Sequence, residues 1–224
     1  MIYLIRHGQA SFLKSDYDKL SDLGVTQSEI LGSALKNRKA TTNLIEAGSM
    51  VRHHETATHC LKQLELSGYI ENNCWNEYNH AELLAQYNPD FADFEHLSNY
   101  IRSQADPLKS LQQLLNASIN DWIADKNSYQ QRWADFKSNV WTALEALASQ
   151  LGKRDNAWVF TSGGPIAAVM IKLLNLNDSQ FVNLQSRLVN TSITRIIVGR
   201  SGLSLSTFNE YGHLEHQPEL ITYR

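Results

Sequence analysis

Residues 2–8 read Ile2-Tyr3-Leu4-Ile5-Arg6-His7-Gly8, a compact apolar run that ends abruptly in a charged, glycine-containing stretch. Consecutive β-prone apolar residues followed by such a stretch are typical of a buried strand that leads into a loop. Arg6-His7-Gly8 is therefore expected at the carboxyl end of a strand. Ligands of α/β sheets bind beyond that end of the strands.

A second pattern of this kind lies near the other end of the chain. Residues 157–161 have strand character, and Ser162-Gly163-Gly164-Pro165 then opens an apolar helix that is predicted to run to about residue 174. Proline fits the first turn of a helix because its missing N–H has no partner there. Since both loops follow strands, we expect Arg6-His7 and Ser162-Gly163 to share one pocket.

The rest of the chain alternates between strand and helix patterns. Thr26-Gln27-Ser28-Glu29 has capping-box spacing and predicts a helix over 27–38. Further predicted segments are a strand over 42–47, helices over 51–64, 108–124 and 129–151, and a β-hairpin formed by 192–198 and 203–208. The pattern predicts an α/β fold, a three-layer αβα sandwich with a mostly parallel mixed sheet. We expect one domain over 1–224, with a helical insertion at about 75–151.

Composition excludes several classes of partner. The 20 basic and 23 acidic side chains nearly cancel, so no broad positive field is expected to attract nucleic acid or an anionic membrane. The apolar start is too short for a signal peptide, and the later apolar run at 166–171 is far shorter than the roughly 20 residues that cross a bilayer. We expect a cytoplasmic protein with Cys60 and Cys74 as reduced thiols. The oligomeric state is not predicted.

The Arg6-His7-Gly8 loop combines the groups that phosphoryl transfer needs. A neutral imidazole can attack phosphorus and form a phosphohistidine if nearby cations neutralise the phosphoryl oxygens. Arg6 supplies a planar cation that binds two phosphate oxygens at once. Gly8 lets the backbone come close.

The opening Arg6-His7-Gly8-Gln9-Ala10-Ser11, after an N-terminal strand, resembles the histidine phosphatase superfamily, a phosphoglycerate mutase-like fold. The resemblance implies that His7 is the nucleophile, that Arg6 binds phosphate, and that Gly8, Gln9 and Ser11 contribute to the phosphate site. A second arginine of the family follows its second strand, and the segment from Ser49 to Ala57 is similar. The resemblance implies that role for Arg52.

The general acid of the family lies before the helical insertion, where this chain has Asn76-Glu77-Tyr78. The resemblance implies that Glu77 protonates the leaving oxygen. Glu82 is the first alternative, and Glu55 is a weaker one because its helical register should point it away from Arg52. Tyr78 and His80 are placed to contact the leaving group.

One departure from the family pattern stands before Gly163-Gly164. The family has a second histidine there, whereas this chain has Ser162. The interpretation that we favour is that Ser162 and Gly163 contact phosphate beside a helix N-terminus, which favours anions. The alternative is a pocket that binds phosphate without turnover. Losing one preorganised donor costs on the order of a hundredfold in rate. His213 in the C-terminal tail is an alternative source of a second histidine, although a structural hydrogen bond is the expected role for it.

No cofactor and no metal are expected, because the histidines do not have a standard zinc-ligand spacing. The function predicted first is a metal-independent phosphatase that hydrolyses a phosphomonoester through a phosphohistidine on His7. The partner is a phosphorylated small molecule or a phosphoprotein. A mutase-type phosphotransferase and a catalytically weak phosphate-binding or phosphoprotein-binding module are the alternatives.

Overall fold

The computed structural model describes residues 1–10 and 18–223. Its strands form one six-stranded sheet with the order β3-β2-β4-β1-β5-β6. The first four strands in that order are parallel, and β5 and β6 are antiparallel to their neighbours. The predicted mixed sheet is confirmed. Its strands are β1 (Ile2–Arg6), β2 (Leu44–Ala47), β3 (Ile70–Glu71), β4 (Ala157–Thr161), β5 (Ile193–Gly199) and β6 (Gly202–Glu210).

Helices cover both faces of this sheet, which confirms the three-layer sandwich. On one face α1 and α2 pack through Leu35 and Leu61 against Phe160. On the other face α6 and α7 pack through Leu144 and Ile166 against the side chains that point the opposite way, such as Val159. The helices are α1 (Asp22–Asn37), α2 (Val51–Gln63), α3 (His80–Tyr87), α4 (Phe94–Arg102), α5 (Pro107–Ile123), α6 (Trp133–Ser149), α7 (Gly163–Leu173) and α8 (Phe181–Gln185).

The central strands β1 and β4 place the two predicted loops side by side. Every residue of β4 is buried, as expected for a strand covered on both faces. The parallel register pairs Arg6 with Thr161. The ladder continues one step further, because the His7 N–H donates to the carbonyl oxygen of Thr161 at 2.9 Å. His7 and Ser162 therefore leave the sheet at the same edge.

The predicted start of the first helix is wrong by about one and a half turns. Helix α1 begins at Asp22, and the Oγ of Ser21 caps it by accepting the N–H of Gly24 at 3.1 Å. The capping-box interpretation fails because the Oγ1 of Thr26 instead donates to the carbonyl of Asp22, one turn back along the same helix. Ser21, rather than Thr26, therefore provides the side-chain oxygen that satisfies a free amide in the first turn of the helix.

Between β3 and β4 the described chain contains helices and short 3-10 turns. Helix α5 starts where the sequence predicts it, after the capping side chain of Asp106. Helix α6 starts at Trp133, four residues later than predicted, and Tyr129 is a buried core residue that precedes it. Helices α3 and α4 and the short strand β3 are not predicted. That this segment is an insertion into a single domain stays a prediction.

Candidate active site

His7 lies at the carboxyl end of β1 with its ring fixed by its own loop. Its Nδ1 is 2.7 Å from the carbonyl oxygen of Gly8. A carbonyl oxygen only accepts, so the neutral ring carries its proton on Nδ1 and keeps a lone pair on Nε2. Burial, followed by the positive charges of Arg52 and Arg6, lowers the pKa of His7 well below its usual value. The imidazole is therefore neutral at physiological pH.

Two buried arginines flank this imidazole. Arg6 ends β1, and its guanidinium donates to the carbonyl oxygens of Leu188 and, at 3.1 Å, Tyr223. Arg52 lies in the first turn of α2 and forms an ion pair with Asp18, with Nη1 and Oδ1 2.7 Å apart. The other carboxylate oxygen of Asp18 accepts the N–H of Val51 at 2.8 Å, which ties the helix start to the arginine. Asp18 is not among the site residues predicted from the sequence.

The candidate acid Glu77 faces the same cavity from the loop before α3. Its Oε2 accepts the N–H of Gly164, the second residue of α7, at 3.0 Å. A Cβ on residue 164 would lie 1.9 Å from Oε1 of Glu77, so only glycine permits this approach. Burial raises the pKa of Glu77, and the hydrogen bond from Gly164 opposes that rise. The carboxyl group therefore holds its proton to higher pH than an exposed glutamate does.

Neither alternative acid is in the cavity lining. The Oε1 of Glu82 accepts the N–H of Gln130 at 2.5 Å. The Oε2 of Glu55 accepts the N–H of Leu20 at 2.7 Å. Both carboxylates stabilise loops, whereas Glu77 lines the cavity together with His7.

Tyr78 and His80 line the cavity next to Glu77. The Tyr78 hydroxyl donates to Oε1 of Gln185 at 2.9 Å, and its ring centroid lies 4.4 Å from that of His80. Burial, with the charge of Arg52 as the second cause, lowers the pKa of His80 to about 4. His80 is thus an uncharged lining residue of the cavity at neutral pH.

These residues surround a cavity of about 420 Å³ with two different ends. The first end carries Arg6, His7, Arg52 and Glu77. The second end is a wall contributed mainly by one face of α5, and its side chains are apolar or neutral amides. They are Leu108, Leu111, Gln112, Leu115, Asn116 and Ile119.

Gly8 and Gln9 hold the loop against α1 and do not line this cavity. The Gly8 N–H donates to Oγ1 of Thr56 at 3.0 Å, and a Cβ on residue 8 would lie 2.5 Å from the carbonyl oxygen of Gly24. The Gln9 N–H donates to Oε1 of Gln27 at 2.8 Å. The glycine is therefore required by helix packing. Ser11 lies outside the described residues.

Ser162 and Gly163 also do not line the cavity, and Ser162 has an unexpected partner. Its Oγ lies 2.7 Å from Nε2 of His53, and both residues are fully buried. The ring of His53 lies 5.9 Å from that of His7, centroid to centroid. His213, the alternative second histidine, bonds the Oγ1 of Thr191 at 3.0 Å and is absent from the cavity lining. His53 is not among the site residues predicted from the sequence, where its only signal is its position directly after Arg52.

The described part of the chain has neither a membrane-spanning helix nor a cluster of metal ligands. No helix there is long and apolar enough to cross a bilayer. No group of three or more histidine, cysteine, aspartate or glutamate side chains among residues 1–10 and 18–223 is arranged to hold a metal ion. Localisation and metal independence stay predictions.

Solved structures with this fold include two phosphatases and a mutase. A mutant phosphoserine phosphatase from Entamoeba histolytica, in complex with phosphoserine, has a TM-score of 0.68 at 16% identity over 95% of this chain and 98% of that one. A mycobacterial glucosyl-3-phosphoglycerate phosphatase has 0.63 at 18% identity, covering 94% and 99%. A phosphoglycerate mutase from Bacillus anthracis also has 0.63 at 18%, covering 95% and 94%. The similarity confirms the phosphoglycerate mutase-like fold.

Comparison with sequence families gives a match over nearly the whole chain. Among curated proteins no significant relative is found. Residues 2–211 match the histidine phosphatase superfamily (branch 1). The chain therefore belongs to the histidine phosphatase superfamily.

Proposed function

We propose that this protein is a metal-independent phosphomonoesterase that forms a phosphohistidine on His7. The observation that carries the proposal is the state of His7: a neutral ring with its Nε2 lone pair available, flanked by Arg6 and Arg52 in one cavity with Glu77. A neutral nucleophile beside fixed cations is the arrangement that attack on an anionic phosphate requires.

In the first half-reaction, Nε2 of His7 attacks phosphorus and the bond from phosphorus to the ester oxygen breaks. Arg6 and Arg52 bind the phosphoryl oxygens, whose charge they neutralise in the transition state. Glu77 gives its proton to the leaving oxygen, so the alcohol departs as a neutral molecule. The products are phospho-His7, the free alcohol and the Glu77 carboxylate.

In the second half-reaction, water enters the space that the alcohol has left. The Glu77 carboxylate takes a proton from the water as its oxygen attacks phosphorus, and the nitrogen–phosphorus bond breaks. Inorganic phosphate leaves, and His7 and Glu77 return to their initial states. One carboxyl group thus acts as acid and then as base, which suits its raised pKa.

The apolar and neutral side chains that α5 contributes to the cavity favour a substrate with an uncharged, partly apolar leaving group. Among the described residues that line the cavity, Arg6 and Arg52 are the basic side chains that remain charged at neutral pH. Both belong to the first end of the cavity, the one that contains His7 and Glu77, which we call the phosphate end. Phosphoserine and glucosyl-3-phosphoglycerate, which the similar phosphatases are named for, each carry a carboxylate. We propose instead a small phosphate ester of a neutral alcohol or phenol, in keeping with the size of the cavity.

The test is turnover of p-nitrophenyl phosphate in the presence of EDTA. Wild-type protein should release p-nitrophenol, and His7→Ala should lower kcat by at least about a thousandfold, as expected for loss of a nucleophile. The matched control is His59→Ala, since His59 is partly exposed on the same protein and bonds Glu29 outside the cavity. Equal activity of the wild-type and His7→Ala proteins would contradict the proposal.

The phosphate-binding module is the competing function that one observation favours. Ser162, expected to contact phosphate, instead bonds His53 and does not line the cavity. A binding module would bind phosphate or vanadate yet hydrolyse no ester in a broad panel. A mutase would retain the phosphoryl group and transfer it to an alcohol, giving an isomer of the substrate rather than inorganic phosphate.

A further inference from the structure

The ends of β4 and α2 are joined by a buried hydrogen bond between Ser162 and His53. The two residues are 109 positions apart, and their side chains meet at 2.7 Å with no exposure to solvent. Ser162 immediately precedes α7, and His53 immediately follows Arg52 in α2. The bond therefore joins two elements that both reach the phosphate end of the cavity.

His53 is tightly enclosed on its remaining sides. Its ring is inclined at 44° to that of His7, with the centroids 5.9 Å apart. On the opposite side, Nδ1 lies so close to the backbone of Gly48 that a Cβ there would be 2.2 Å from it. Burial, followed by the charges of Arg52 and His54, lowers the pKa of His53 well below its usual value. The ring is thus a neutral, fixed neighbour of the nucleophile.

A histidine at position 162 and the ring of His53 exclude one another. With Oγ of residue 162 only 2.7 Å from Nε2 of His53, a larger side chain at position 162 would enter the space that the His53 ring fills. Close-packed interiors do not absorb such an overlap without displacement. The described structure therefore has an imidazole beside His7, and that imidazole comes from α2.

We propose that Ser162 and His53 act as one hydrogen-bonded unit in place of a second histidine at position 162, with His53 as a positioning residue for phosphoryl transfer at His7. The inference rests on the proposed function. His53 packs beside the His7 ring, and Ser162 holds His53 there. A small displacement of a nucleophile costs large factors in rate, so the unit acts on kcat more than on substrate binding.

The test is a set of variants assayed for the rate of His7 phosphorylation. Ser162→Ala and His53→Ala should each lower that rate by about tenfold to a hundredfold, with KM changed by less than about threefold. The double variant should be no slower than His53→Ala alone, because residues that act as a unit give non-additive effects. Single effects that multiply in the double variant would overturn the proposal.

The second part exchanges the two positions. Ser162→His alone should be strongly impaired, since two rings compete for one space. Ser162→His combined with His53→Ala supplies the ring from position 162 and should recover to within about tenfold of wild type. A combined variant no faster than His53→Ala would overturn the proposal.

Two controls keep the test independent of folding and of the proposed function. His54→Ala, on the next residue of α2 and paired with Glu71 at the partly exposed surface, should leave the rate unchanged. Ser162→Ala removes only a single oxygen atom and should therefore fold. Its rate of His7 phosphorylation still tests the proposal if His53→Ala does not fold. If wild type forms no phospho-His7, the proposed function fails; if it does and both single variants match it, only the present inference fails.

Discussion

The phosphate end of the cavity is built around the carboxyl end of β1, with Arg52 from α2 and Glu77 from the loop before α3. The other end, the leaving-group end, is built mainly from α5, which lies between β3 and β4 in the sequence. Arg6 and His7 follow β1 directly, and backbone hydrogen bonds to Thr161 and Thr191 fix their loop. The leaving-group end depends on the side chains of one face of α5. Substitutions in α5 change that wall without touching the sheet. The two ends should therefore respond differently to mutation. A substitution at the phosphate end should lower activity on every substrate, whereas a substitution at the leaving-group end should change activity according to the alcohol part of the substrate.

Removal of Arg52 should have the largest effect and the least dependence on substrate. Arg52→Ala is expected to lower kcat/KM by about a thousandfold for aryl and alkyl phosphates alike, because every substrate presents the same phosphoryl oxygens. Steady-state kinetics on both esters measures this. The matched control is Arg38→Ala, which removes a charge from an exposed pair with Glu210 and should stay within about twofold. A loss confined to one ester would break the distinction between the two ends.

Glu77 belongs to the phosphate end, but as the proton donor its effect should depend on the leaving group. Glu77→Gln is expected to lower kcat/KM by about a hundredfold or more for an alkyl phosphate, whose alkoxide needs a proton. The loss should be less than about tenfold for p-nitrophenyl phosphate, which leaves readily as an anion. Glu82→Gln, at the alternative acid, is the matched control and should behave as wild type. Equal losses of kcat/KM for the two esters would show that Glu77 is not the general acid.

The pH dependence of kcat/KM should reflect the ionisation of His7 and Glu77. Activity requires deprotonated His7 and protonated Glu77, so kcat/KM should rise with pH as His7 loses its proton and fall as Glu77 loses its own. The lowered pKa of His7 places the rising limb below the usual histidine range, and the raised pKa of Glu77 moves the falling limb above the usual glutamate range. The ratio of the wild-type and Glu77→Gln profiles cancels ionisation of the substrate. A ratio that does not fall as pH rises would contradict this assignment.

The smallest expected effect is at the leaving-group end. Leu115→Lys should lower kcat/KM about tenfold for an aryl phosphate, in line with the modest energies of apolar contacts. It should raise kcat/KM for 3-phosphoglycerate, because it places a cation near the carboxylate. Leu174→Lys, an exposed position at the end of α7, is the control. If wild type already prefers 3-phosphoglycerate to aryl phosphates, the proposed leaving group is wrong.

The difference between the phosphate end and the leaving-group end also explains which parts of the structure are predictable from sequence. The strands β1 and β4 are short buried runs, and the loops that follow them contain the candidate residues, so local pattern is enough to locate Arg6 and His7. Helix α5 is predicted as a helix, but an apolar face is equally compatible with the core and with a cavity wall. Its contact with substrate therefore has no signature in the sequence.

Contacts between residues that are distant in the sequence have no local pattern that predicts them. The bond between His53 and Ser162, the ion pair of Asp18 with Arg52, and the hydrogen bond from the N–H of Gly164 to Glu77 are of this kind, because each joins segments that only the folded structure brings together. The start of α1 is mispredicted for a local reason, because Ser21 and Thr26 are both good capping residues and sequence alone does not choose between them.

The most direct test of the account is rapid-quench analysis of the wild-type protein with p-nitrophenyl phosphate. We predict one phosphoryl group on the peptide that contains His7 and a matching burst of p-nitrophenol, neither of which appears with His7→Ala. Steady turnover with no phosphorylated peptide, or a phosphoryl group on any other residue, would contradict the central claim.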